Sequence, residues 1–348
     1  MGGLSTFVLI VIFAGGAAAT WAAGILLSKA TDALDNRFGL GDALGGIVLL
    51  AVAGTLPEIA ITVSAARAGH LDLAVGNLIG GVAVQTLVLV ILDFSAGPER
   101  PLSFLVGSLL PVIEALMVMV VLGTALGGAA LAPSKNVLGA SPTSIAVVIL
   151  WLVGIWIVNR ARMHQSWKVD TPPGATPGRR HHLQGAEGEH PYPHRSNAEV
   201  VGIFLAASIV TLAAGVALQD SGSLIAGRIG MGGAVFGATV LAFASALPEI
   251  SSGIAAVRLG DMQLAVGDIL GGNSFQITLL LLADLIAGTP VMVAAKHSDV
   301  WLGAAGMLMT GIAALAIIAR PQRTFVWLGV DSIALIAIYA GAIALLPK

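Results

Sequence analysis

Cysteine is absent from all 348 residues, which removes disulfide frameworks, thiolate metal sites and cysteine nucleophiles together. Charge is scarce: charged residues make up 10% of the chain, where a water-soluble domain carries about a quarter. With 57% hydrophobic residues, such a chain belongs in a bilayer. Its 17 Lys and Arg stand against 19 Asp and Glu, so no basic surface for nucleic acid is available. Glycine is the residue in surplus, at 44. Among lipid-facing helices, that surplus implies close packing and deliberate breaks.

Crossing ~30 Å of hydrocarbon takes about 20 apolar residues. Runs of that kind fall near 4–28, 43–66, 71–93, 102–126, 143–159, 198–218, 229–257, 262–286, 300–319 and 325–346, which predicts ten spans. The first run has no Lys or Arg before it and exceeds a signal peptide's apolar region, so it is expected to stay as a helix. Between the fifth and sixth runs lies a polar stretch with Pro172, Pro173, Pro177, Pro191 and Pro193, the pair Arg179 and Arg180, and five of the seven histidines. It divides the chain into 1–160 and 198–348, joined by a linker over 161–197. With that linker cytoplasmic, 12 of the 17 basic residues fall inside and both termini outside. The linker histidines are read as part of a solvated loop. The expected location is a prokaryotic inner membrane.

Sliding the chain by 191 residues lays Leu56–Asp93 on Leu247–Asp284 with 16 of 38 positions identical and no gap. The identities include Pro57/Pro248, Glu58/Glu249, Gly76/Gly267, Gly80/Gly271, Gly81/Gly272, Gln85/Gln276 and Asp93/Asp284. Five spans, an odd number, separate the copies, so the second is expected upside down. The predicted fold is therefore an all-α polytopic membrane protein of ten transmembrane helices in two inverted five-helix repeats, with repeat cores at 54–93 and 245–284. Two inverted halves meeting at the midplane are the design of secondary transporters.

Glu58 and Glu249 fall mid-span, each after a proline. Proline carries no N–H, so the carbonyls of Ala53 and Ala244 lose their helix partners about one turn from the acids. A carboxylate at the bilayer centre costs ~2.5 to 3.5 kcal/mol on insertion scales, which makes an unpaired one a functional candidate. No Lys or Arg lies within any of the ten runs to pair with it. Two such acids repel unless a cation or protons intervene. The Thr55 and Ser245 hydroxyls, the Gln85 and Gln276 amides and the backbone of Gly54 complete a set of hard oxygens. That set suits Ca²⁺, which takes six to eight oxygens in flexible geometry, better than Mg²⁺. The glycines are read as a packing face that also brings Gln85 and Gln276 near the glutamates.

Gly54-Thr55-Leu56-Pro57-Glu58 with Gly76-Asn77 and Gly80-Gly81, and Ser245-Ala246-Leu247-Pro248-Glu249 with Gly267-Asp268 and Gly271-Gly272-Asn273, resemble the repeat motifs of the calcium/cation antiporter superfamily. That superfamily includes sodium/calcium and proton/calcium exchangers. The resemblance implies a cation antiporter with ion ligands at Glu58 and Glu249. In sodium/calcium exchangers a serine supplies a sodium ligand where this chain has Gly81 and Gly272. The later Asn or Asp is replaced by Gln85 and Gln276. Fewer hydroxyls weaken the case for several Na⁺ ions, and Gln276 in GGNSFQI is similar to the glutamine of proton/calcium exchangers. The resemblance thus favours H⁺ as counter-ion.

Asp268 is expected either to tune the site or carry a proton, or to be a hydrogen-bonded structural group; its mate Asn77 is neutral. Glu114 is left open between proton relay and buried structural acid. Asp93 and Asp284 are expected to face water at the membrane edge. The leading expectation is Ca²⁺/H⁺ exchange by alternating access, with no bound cofactor and with inorganic cations and the lipid bilayer as partners. Its rivals are Na⁺/Ca²⁺ or Na⁺/H⁺ exchange on the same fold, a passive cation channel, and an intramembrane acid/base hydrolase. Identical inverted motifs serve neither of the last two.

Overall fold

The computed structural model describes residues 3–38, 52–131, 139–163 and 192–346. Most of the linker over 161–197, and residues 43–51 of the second expected span, lie outside the described residues. The main helices are α1 (Thr6–Phe38), α2 (Leu56–Ala68), α3 (Leu71–Ala96), α4 (Leu110–Ala130), α5 (Pro142–Met163), α6 (Asn197–Ile229), α7 (Gly233–Ser245), α8 (Leu247–Arg258), α9 (Met262–Ala287), α10 (His297–Ala319) and α11 (Val330–Ala344).

Seven of these are long and apolar enough to cross a membrane, or eight if the bent pair α7 and α8 is one span. Of the expected ten, the span at 43–66 lies partly outside the described residues, and that at 325–346 is shorter than a full crossing. The stretch at 325–346 holds the 15-residue helix α11, preceded by a hairpin pairing Thr324–Phe325 with Leu328–Gly329. Helices α3 and α9 form the middle of the bundle, with 83% and 61% of their apolar windows buried, against 28% for α1, α5 and α6. The outer helices α1 and α6 pack along each other.

Helix α3 is not α-helical throughout: Gly76–Gly80 makes a π turn, as does Gly237–Leu241 in α7. The two turns cross in contact, and only glycine fits there. A Cβ on Gly76 would stand 2.3 Å from the Ala234 carbonyl oxygen, and one on Gly237 2.5 Å from that of Leu73. A π turn also leaves backbone carbonyls without their usual partners.

Asp93 and Asp284 do not face water. Both are buried, because each is consumed by backbone donors at helix starts. Asp93 accepts from Leu102 N at 2.6 Å, Gly329 N at 2.7 Å and the Ser332 hydroxyl at 2.6 Å. Asp284 accepts from Val291 N at 2.6 Å and Ser141 N at 2.8 Å. Ser141 and Ser332 are themselves 191 residues apart. Each aspartate therefore satisfies orphan donors at the start of the other half's last helix, α11 or α5.

Candidate ion-binding site

Pro57 and Pro248 break their helices where expected. Thr55, just before α2, has φ −99° and ψ 18°, and Ala246, between α7 and α8, has φ −78° and ψ 0°. Both fall in the sparsely populated region between helix and strand. The axes of α7 and α8 bend by 43° there. Residues 57 and 248 have no N–H to offer, so the carbonyls of Ala53 and Ala244 receive no helical bond from those positions. Both alanines are buried.

Glu58 begins α2 and Glu249 begins α8, which puts each carboxylate in the first turn, where the positive end of the helix dipole favours it. Both are buried, and they lie close enough to interact electrostatically. Gln85 Nε2 donates to Glu58 Oε1 at 3.2 Å, and the Ser245 hydroxyl of the opposite repeat donates to the Ala242 carbonyl at 3.2 Å. The remaining oxygens, Glu58 Oε2 and Glu249 Oε2, have no hydrogen-bond partner, and neither does Gln85 Oε1. Thr55 is buried beside them.

Gln276 is placed differently from Gln85. Its Nε2 donates to the carbonyls of Asn77 at 2.9 Å and Leu78 at 3.1 Å and not to Glu249. Those carbonyls belong to the π turn of α3, where acceptors are spare, so the amide crosses to the other repeat. Its Oε1 stays buried and unpartnered, as do both polar atoms of Asn77. The two glutamines, identical in sequence, thus do different things.

Asp268 Oδ2 accepts from the Ser252 hydroxyl at 2.7 Å, and Asp268 is near enough to Glu249 to act on its charge. Glu114 of α4 lies against Gly267, where an added Cβ would stand 3.0 Å from its Oε2. Gly54 lines a cavity with Glu249 and Asp268. Among the described residues no three acidic or histidine side chains gather as metal ligands, so a cation held by the glutamate pair needs neutral oxygens around it.

The outer helices close on the same prolines. Gly24 of α1 meets Pro248, where an added Cβ would stand 2.5 Å from the proline Cβ. Gly215 of α6, 191 residues later, meets Ala60 and Pro57 in the same way, at 2.6 Å from the Ala60 Cβ and 2.9 Å from the Pro57 carbonyl oxygen. Each outer helix therefore packs on the other half's proline break.

The sequence profile of the family described as sodium/calcium exchanger protein matches residues 8–160 and 199–346. The chain belongs to that family. It is 26% identical to the inner membrane protein YrbG of Escherichia coli (strain K12) over 271 residues, 78% of this chain and 75% of that one. It is 25% identical to the putative antiporter CaxA of Alkalimonas amylolytica over 289 residues, 83% of each. Its fold is similar to the crystal structure of the H⁺/Ca²⁺ exchanger CAX, with TM-score 0.68 at 14% identity, covering 98% of this chain and 82% of that one. It is also similar to the sodium-calcium exchanger NCX_Mj, with TM-score 0.61 at 17% identity, covering 99% and 100%.

Sequence reading missed Thr31 and Ser252. Ser252 follows Glu249 by three residues and so shares its helix face, a signal that was available. Thr31 on α1 had none, since only packing brings it to the repeats.

Proposed function

We propose that this exchanger-family chain is a secondary antiporter that exchanges Ca²⁺ for H⁺ by alternating access at a site made by Glu58 and Glu249. The observation that carries this reading is the pair itself: two buried carboxylates, one from each repeat, each keeping one oxygen unpartnered. Buried acids left so are costly unless a positive charge joins them. One Ca²⁺ or two protons balances the pair equally, so the two substrates compete, and that competition couples their fluxes. The Ala53 and Ala244 carbonyls and the Thr55, Ser245 and Gln85 oxygens complete the ligands, as Ca²⁺ requires.

The site sits between ten spans arranged as two inverted halves, 1–160 and 198–348, in a prokaryotic inner membrane with both termini outside. Several reciprocal contacts support the arrangement. Gly24 on Pro248 is matched by Gly215 on Pro57, and Asp93 at Ser332 by Asp284 at Ser141. Loop contacts also join segments that the ten-span count puts on one face: Lys296 with Asp72 at 3.1 Å, Arg228 with Thr6 at 3.0 Å, Arg100 with Gln322 at 3.0 Å and Arg37 with Asn197 at 2.8 Å.

Proteoliposome flux with pH and Na⁺ gradients imposed separately tests the reading. Ca²⁺ movement driven by the pH gradient alone is expected, and it is abolished by Glu58→Gln and by Glu249→Gln in protein that still inserts. Movement driven only by Na⁺ replaces the counter-ion; movement with no gradient partner makes the protein a channel. Substantial exchange in either glutamine variant removes the site assignment.

A further inference from the structure

Between α1, α6, α8 and α9 lies a cavity that reaches Glu249 but not Glu58. It is lined by Ser28 and Thr31 from α1, Glu249 and Ser252 from α8 and Asp268 from α9, together with Ala53, whose carbonyl receives no bond from Pro57. Thr31 is 3% exposed and its hydroxyl has no partner; Glu249 is 5% exposed and its Oε2 has none either. Asp268 keeps Oδ2 on Ser252, while Oδ1 lies 4.0 Å from where a Cβ on Gly54 would stand. No Lys, Arg or His lines the cavity.

We propose that this cavity is a second cation site beside the Glu58–Glu249 pair, sharing the Ala53 carbonyl with it, where Asp268 and Thr31, with Ser28, hold a small monovalent cation of the Na⁺ class. It rests on the reading that the two glutamates carry the transported ion. Ca²⁺ between the glutamates cancels their charge and leaves Asp268 with its own. One carboxylate surrounded by hydroxyl and carbonyl oxygens matches a single positive charge, whereas a divalent ion asks for more charge and six or more oxygens.

The site belongs to one half only. Positions 191 residues from Ser28, Thr31, Ser252 and Asp268 hold Gln219, Gly222, Ile61 and Asn77. Where Thr31 would recur, the ring of Phe236 fills the space, 2.9 Å from a Cβ added to Gly222. Gln219 is already engaged by Ser64 at 2.7 Å and His70 at 3.0 Å. The chain therefore carries a charge and a polar space on one side of its pseudo-symmetry that the other side lacks.

The purified full-length protein, titrated with NaCl against choline chloride at constant ionic strength and pH, tests this through its thermal unfolding midpoint. Na⁺ is expected to raise the midpoint of the wild type and of Glu58→Gln. Asp268→Asn is expected to weaken the apparent Na⁺ affinity more than tenfold, and Thr31→Val several-fold. No Na⁺ effect in the wild type, an equal effect in Asp268→Asn, or a response to pH alone overturns the second site. Proton-driven Ca²⁺ flux that survives Glu58→Gln overturns the assignment of transport to the glutamate pair instead, and leaves the Na⁺ result standing.

Discussion

At the scale of single residues, position within the repeat does not decide a side chain's task. Gln85 donates to Glu58, while its identical mate Gln276 is drawn away by two carbonyls of a π turn. The glycines that replace the serines of sodium/calcium exchangers differ in the same way. A Cβ on Gly81 would crowd the Ala242 Cβ at 3.2 Å and Gln276 Nε2 at 3.3 Å, whereas one on Gly272 meets only the Thr55 methyl at 3.9 Å. Gly81→Ser is therefore expected to destabilise by about 1–3 kcal/mol through overpacking. Gly272→Ser is expected to stay within about 0.5 kcal/mol of the parent, as a substitution with room does. Thermal unfolding of the two variants in one detergent checks this; equal losses would show that the space around them is the same.

At the scale of elements, helix ends carry the organisation. Each repeat's closing aspartate holds the start of a helix from the opposite half, so Asp93 and Asp284 act as braces between halves. Replacing either by Ala strands buried donors, and hydrogen bonds to a charged acceptor are worth about 1.5–3 kcal/mol each. Asp93→Ala, which loses three such bonds, is expected to destabilise more than Asp284→Ala, which loses two among the described residues. The two braces share no hydrogen-bond partner, so the double variant is expected to show the sum. Unfolding midpoints of the singles and the double measure both statements. The proline breaks belong to this scale as well: they were visible as L-P-E in the sequence, and the bridge-region backbone at Thr55 and Ala246 follows from the missing N–H.

At the scale of the whole molecule, sidedness is the property open to direct measurement, and the absence of native cysteine makes the chain ready for it. Single cysteines placed at Gly188 in the linker and at Ser5 near the start are expected to react with a membrane-impermeant maleimide from opposite faces. Gly188→Cys should be modified only after the cytoplasmic side is opened, Ser5→Cys in intact cells. Labelling of both from one face would mean an odd number of crossings between them is wrong, and with it the inverted order of the halves.

The sequence alone determined that this is a cysteine-free, polytopic helical membrane protein with a duplicated motif, and that Glu58 and Glu249 are its candidate ligands. Those properties are local: hydropathy over a span, a proline's missing donor and a gapless repeat all lie within short stretches of chain. Tertiary structure alone decided that Gln276 leaves Glu249 for the opposite π turn, that Asp93 and Asp284 are buried caps, and that Thr31 joins Asp268 at one cavity. Each of those outcomes depends on which backbone donors, acceptors and empty volumes distant segments bring together, and no spacing along the chain encodes that meeting.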